Sequence, residues 1–164
     1  MCLASVKIYE KIDEEIHIGY KLFIKDIFDG KIYNPFFTVD GKRHSYQIRF
    51  VGNDGPHDFL PKNKTPNPEV KINQELKAVT ELVEIPPCKS NNYVIPQQSF
   101  YPSGFHIFED IESARIYKNS KALIVKINFV IYKVYYRHSF ASGIDESDLR
   151  VILAKFMTIS EQVK

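Results

Sequence analysis

Five histidines, two cysteines and twenty acidic residues are the groups of this 164-residue chain that could bind a metal or move a proton. His17, His44, His57, His106 and His138 show no HxH, HExxH or His-x-Cys spacing. No zinc site, and no metal of any kind, is therefore expected. His106 stands inside Gly104-Phe105-His106-Ile107-Phe108. In a strand, Phe105 and Ile107 share one face and His106 shares the other with Phe108. A histidine in that setting is either a hydrogen-bonded structural residue or a ligand contact. His138 lies at the end of a long apolar stretch beside Arg137. Strand ends border clefts, so Arg137 and His138 are read as anion contacts or as a solvated strand end.

The acidic groups Asp13-Glu14-Glu15 and Asp145-Glu146-Ser147-Asp148 lack the ligand periodicity and distal bidentate glutamate of a calcium loop. Both are expected to be solvated turns. Nothing sets two carboxylates face to face for glycoside hydrolysis. Cys2 and Cys88 form no CxxC, and are expected to be free thiols in a reducing cytosol. GxxxxGK[ST], GxGxxG and GxSxG are all absent. What remains is aromatic interleaving. Tyr132, Tyr135 and Tyr136 lie near Lys133 and Arg137, and Phe36-Phe37 precede Lys42-Arg43-His44. Such groups stack bases and hold phosphates, or they are core.

The elements that must position these residues are mostly strands. Leu3–Tyr9 reads as a first strand, and Ile16, Ile18, Tyr20, Leu22 and Ile24 alternate with His17, Gly19, Lys21 and Phe23 at period two. Asp29-Gly30 and Asp40-Gly41 are hairpin signals, Asn34-Pro35 is a break, and His44–Val51 alternates again. Residues 52–72 read as a loop excursion, with Pro56, Pro61, Pro66 and Pro68. Over 73–85, Leu76, Val79, Leu82 and Val83 fall on one helical face, with Asn73 as a cap; a helix is preferred there, and a strand stays open. Residues 86–103 are loop-like, 104–108 is a short strand, and 109–118 is a helix with Ile111, Ala114 and Tyr117 on one side. Strands are expected over 121–127, 130–138 and 150–159, with Gly143 in a turn and a frayed tail.

The sum is one α+β domain over 1–164, with a mainly antiparallel sheet, one or two short helices and a loop-rich insertion at about 52–103. A charge of +2, from 22 Lys+Arg against 20 Asp+Glu, gives no basic excess for nucleic acid. The stretch Ala122–Tyr136 is too short, and too interrupted by Lys126, Asn128 and Lys133, for a bilayer span. Charge follows Met1 at once, so no signal peptide is expected and the compartment is read as cytoplasmic. The 12 Phe and 10 Tyr are more than a disordered chain carries.

The run YPSGFHIFEDIESAR from Tyr101 to Arg115 resembles small phage and prophage proteins, mostly of unassigned function. The opening Met-Cys-Leu, the strand Ile18-Gly19-Tyr20-Lys21-Leu22, the break Tyr33-Asn34-Pro35-Phe36-Phe37 and the closing strand VILAKFMTI carry the rest of the likeness. It covers most of the chain loosely and 52–100 hardly at all, and Asn34-Pro35 stands where those proteins have Ser-Pro. Gly104-Phe105-His106 before a helix with Ala114 also looks like ADP-ribosyltransferase-like folds. Tyr20-Lys21 replaces the first-strand catalytic residue of those enzymes, and a late catalytic glutamate is lacking, since Glu161 falls in the tail.

The phage resemblance implies a non-enzymatic inhibitor of host antiviral defence, acting in the host cytoplasm. It would sequester a nucleotide-derived signal or bind a host defence protein. The expected ligand-binding residues are Tyr20, Lys21, Phe105, His106, Arg137 and His138, with no cofactor and with assembly as a homo-oligomer. The alternative is an ADP-ribosyltransferase-like enzyme, its catalytic set degenerate, acting on a host target.

Overall fold

The computed structural model describes residues 3–25, 30–33, 49–52, 55–58, 69–78, 82–84, 100–102, 104–122, 128–145 and 147–164. Its strands are β1 (Leu3–Asp13), β2 (His17–Lys25), β3 (Ile32–Tyr33), β4 (Arg49–Gly52), β5 (Gly55–Asp58), β6 (Glu69–Val70), β7 (Glu75–Lys77), β8 (Leu82–Glu84), β9 (Phe100–Pro102), β10 (Phe105–Phe108), β11 (Phe129–Asp145) and β12 (Arg150–Val163). One helix, α1 (Ile111–Ala122), stands among them. All described pairings are antiparallel. The described residues are thus mostly antiparallel sheet with a single short helix.

The main sheet runs β1-β11-β12-β10-β2-β3-β6, with β7 added against β12. One edge of β11 serves two partners. Its first half pairs β2, from Phe129↔Ile24 to Tyr136↔His17, and its second half pairs β1. Because β2 also touches β10 at Phe108↔Tyr20, the strands β11, β12, β10 and β2 close a circuit of pairing. The closure depends on Gly19. A Cβ there would lie 2.4 Å from Ile107 Cγ2 and 2.8 Å from the Phe108 carbonyl oxygen. Only a residue without a side chain lets β2 come this close to β10.

Two faces are buried. One gathers Phe23, Phe105, Ile107, Val130, Val134, Tyr136, Ile152 and Ile159, with Val70 and Leu76 added from the short strands. The other gathers Leu22, Ile24, Phe108, Phe129, Ile131, Val151 and Leu153 beneath Ala114 and Tyr117 of α1. Burial on both faces makes residues 129–132 of β11 and 151–154 of β12 continuous apolar runs rather than alternating ones. Asp110 starts α1: its carboxylate accepts from the Ser113 amide and hydroxyl, both at 2.7 Å.

Several expectations hold. The strand at 104–108 is β10, and Phe105 and Ile107 pack on the face opposite Phe108. The helix beginning after Glu109 buries Ala114 and Tyr117, as its spacing predicts, and runs on to Ala122.

Others need correction. Residues 75–77 and 82–84 are strands, not parts of a helix. Leu76 is buried between exposed Glu75 and Lys77, which is period two, and it sits opposite Met157 of β12. Asn73 has φ 62° and turns the chain rather than capping a helix. Lys121 and Ala122 belong to α1, not to a strand. Gly143 lies within β11, opposite Val6 and Val151, not in a turn; a Cβ there would meet the Ser5 carbonyl oxygen at 2.7 Å, so the close approach of β1 requires glycine. The tail continues β12 to Val163. Within 52–103 the described residues form short strands, and two of these, β6 and β7, join the main sheet. Asp29, the Asp40-Gly41 turn, residues 44–48, the Phe36-Phe37 and Lys42-Arg43-His44 cluster, Cys2, Cys88, residues 123–127 and Glu146 lie outside the described residues. Among the described residues no helix is long and apolar enough to cross a membrane.

Candidate functional site

Lys21 and His106 meet at the seam between β2 and β10. That seam holds a single bridge, Phe108↔Tyr20, and then opens. Just beyond the bridge, the amine of Lys21, next to Tyr20, donates to the carbonyl oxygen of His106, two residues before Phe108, at 2.9 Å. It supplies the bond that a longer ladder would have made. Lys21 is only 3% exposed, and burial pulls its amine down to about 7. His106 is buried as well, and its Nδ1–H donates to the Gly104 carbonyl oxygen at 3.1 Å. Burial, and then the nearby Lys21, hold its imidazole well below the usual histidine range, so the ring is neutral. Its ring lies edge-on to Tyr101 at 6.4 Å. Phe105 points to the opposite face, and Tyr20 packs half-buried against the helix-side core.

Arg137 and His138 lie five and six positions beyond Tyr132, the cross-strand partner of Lys21. That is roughly 16 Å or more along β11. They form a second group. The Arg137 guanidinium donates to both carboxylate oxygens of Glu75, at 3.1 and 3.0 Å, and lies 4.2 Å over the Phe156 ring. The Glu75 carboxylate raises its pKa further. His138, at φ 55°, contacts the Glu14 carboxylate and meets Phe156 edge-on at 5.1 Å. The six residues expected to bind a ligand are therefore divided. Lys21 and His106 touch, with Tyr20 and Phe105 as strand neighbours, while Arg137 and His138 already face carboxylates of the same chain.

The structure also gives residues that the sequence reading set aside. At the β1–β2 turn, the Asp13 carboxylate accepts from the Glu15 amide at 3.0 Å and meets His17 Nε2 at 2.8 Å. The Glu15 amide, then His17, hold the Asp13 carboxyl below its usual range. The Tyr136 ring lies 5.5 Å from His17. Burial, followed by Glu109, Tyr9 and Asp13, pushes the Tyr136 phenol up to about 12. Asp145 is not a solvated turn residue. It is 2% exposed, and its Oδ1 accepts from the Ser147 and Leu149 amides, each at 2.9 Å. The signal for this was Asp145 preceding a tight turn between two apolar strands, where aspartate caps the main chain.

A further surface is apolar. Ile8, Ile12, Ile16, Ile18 and Tyr135 are between 38% and 70% exposed. They follow one edge of β11, where Ile18 sits opposite Tyr135 and Ile8 opposite Ala141. Ile18 and Tyr135 lie on the face that α1 covers elsewhere, beyond the reach of the helix.

A scan against protein-family models, a search of curated proteins and a search of solved structures each return no match.

Proposed function

We propose that the chain is a non-enzymatic binding protein that blocks a host antiviral defence by covering a host protein. The observation that carries this reading is the exposed line Ile8, Ile12, Ile16, Ile18 and Tyr135 along one edge of β11. Single exposed apolar residues need no explanation, but an exposed cross-strand pair, Ile18 and Tyr135, with Ile16 two residues before it and Ile12 and Ile8 farther along the same edge, marks an interaction surface. The acidic turn Asp13-Glu14-Glu15 interrupts the line between Ile12 and Ile16. The partner surface is therefore apolar with a basic rim, which also steers the encounter. The phage resemblance of residues 101–115 supplies the setting, a host defence protein as target.

The nucleotide-sequestering form of the proposal has less behind it. Lys21 and His106 are sealed in the core, and Arg137 and His138 are matched by Glu75 and Glu14. The ADP-ribosyltransferase reading meets the same difficulty, since its first-strand position is held by a lysine amine bonded to the His106 carbonyl.

The test is plaque formation on bacteria carrying single defence systems, with and without the protein. The wild-type chain should lift one system, crosslink to a component of it, and lose both effects in the Ile16→Asp/Ile18→Asp variant. Circular dichroism and the melting temperature should show that variant folded. A folded variant that still lifts the defence would overturn the proposal. So would a nucleotide retained by the wild-type protein in native mass spectra and released intact on denaturation, which would establish the sequestering form instead.

A further inference from the structure

We propose that the β1–β2 turn is a binding site for a divalent transition-metal ion of the zinc class, held by His17 Nε2 and the carboxylates of Asp13 and Glu15. The donor atoms of these three residues all lie within 4.8 Å of one another. Ligand bonds of about 2.0–2.2 Å put two donors on one ion at most about 4.4 Å apart, so a small rotation of exposed side chains completes the set.

The donors come from alternate residues, Asp13-x-Glu15-x-His17, at the bend where the chain passes from β1 to β2 along the same edge of β11. The sheet positions the ends of this set. His17 is the cross-strand partner of Tyr136, and Asp13 is the partner of Ser139, both on β11. The loop contributes only Glu15.

The surroundings fit the part. The Glu15 amide engages Asp13 Oδ1, which leaves Oδ2 directed at His17. The Tyr136 ring braces the imidazole from the side. Outer contacts of this kind fix the ring and carboxylate of a metal ligand in orientation. Glu14, between the two acidic donors, turns away to His138 and does not compete. His17 and Asp13 side chains are 36% and 41% exposed, so an ion has a path in and solvent can fill the remaining position.

The donor chemistry selects the metal. One imidazole nitrogen with two carboxylates suits zinc-like ions, whereas calcium needs six to eight oxygens and magnesium prefers oxygen and water.

Zinc alone is the probe, added to the full chain freed of metal by chelation. Titration calorimetry should give one ion per chain and the melting temperature should rise, with neither effect from magnesium. Imidazole ¹⁵N shifts should move for His17. His17→Ala should weaken binding by at least about tenfold, and His138→Gln should leave it unchanged. No heat and no shift at His17 with zinc would overturn the proposal. So would undiminished binding in a folded His17→Ala chain, or loss of binding in a folded His138→Gln chain.

Discussion

The amine of Lys21 donates a 2.9 Å hydrogen bond to the main-chain carbonyl of His106, joining residues 85 apart in sequence. The bond sits where β2 parts from β10 after one bridge, inside a core from which water is excluded. A cation buried there has lost its hydration and gained one carbonyl, so the folded protein favours the neutral amine.

This gives stability a defined pH dependence. The Lys21 amine titrates at about 7 in the folded chain against 10.5 for an ordinary lysine. Between those values the unfolded chain holds a proton that the folded chain does not, so stability rises with pH across that window. The steepest slope is about 1.4 kcal/mol per pH unit. Below about 7 both states are protonated and the folded one carries the full desolvation cost. Lys21→Met should flatten this limb and raise the urea midpoint at pH 6. Unfolding curves at pH 6, 8 and 9.5 for both proteins check it, and parallel profiles would refute it.

Gly19→Ala should be among the costliest small substitutions in the chain. Its methyl would stand 2.8 Å from the Phe108 carbonyl oxygen and 3.0 Å from Tyr136 Cε1, besides the closer contact with Ile107. A main-chain atom cannot turn aside as a side chain can. Overpacking of this kind costs about 1–3 kcal/mol or more. The difference in urea midpoint measures it, and a midpoint within error of wild type would mean that the β2–β10 seam is looser than described.

Asp145→Ala should destabilise by about 1–3 kcal/mol, because two amides of the β11–β12 turn lose their acceptor. The carboxylate is buried, so solvent does not replace it freely. Asp145→Asn retains an acceptor oxygen and should recover part of the loss. Thermal denaturation of the three proteins ranks them.

Asp110→Ala should cost about 1 kcal/mol through loss of the α1 cap. The Ser113 amide, then its hydroxyl, hold the Asp110 carboxyl below its ordinary 3.8. Its contribution is present above that value and fades as pH falls through the depressed one. Wild type and variant should therefore converge in stability toward pH 2, whereas a gap constant with pH would show that the carboxylate is not the capping group.

Legibility followed periodicity. Ala114 and Tyr117 stood at helical spacing behind acidic residues, and they are the buried side of α1. Phe105 and Ile107 stood two apart, and they share a face. Residues 75–84 misled because Leu76, Val79, Leu82 and Val83 satisfy a helical period by coincidence. Strand pairing of Leu76 with Met157 outweighs that weak local preference. Gly143 reads as a turn signal for the same local reason, yet its role is to let β1 lie close to β11.

The candidate site divided along the same line. His106 was singled out by its place in a short apolar strand, and Lys21 by a resemblance, but no spacing placed them together. Asp13, Glu15 and His17 were three polar residues in a charged corner until the bend between β1 and β2 brought them toward one point. By itself the sequence determined the strand-rich composition, the position of the helix and the faces of β10, because these depend on neighbours within a few residues. The closure of β11, β12, β10 and β2, the burial of Lys21 and the convergence at the β1–β2 turn were decided by tertiary structure. Each depends on pairings between strands that are not neighbours in sequence, or on how a bend brings side chains together, and no local period encodes those.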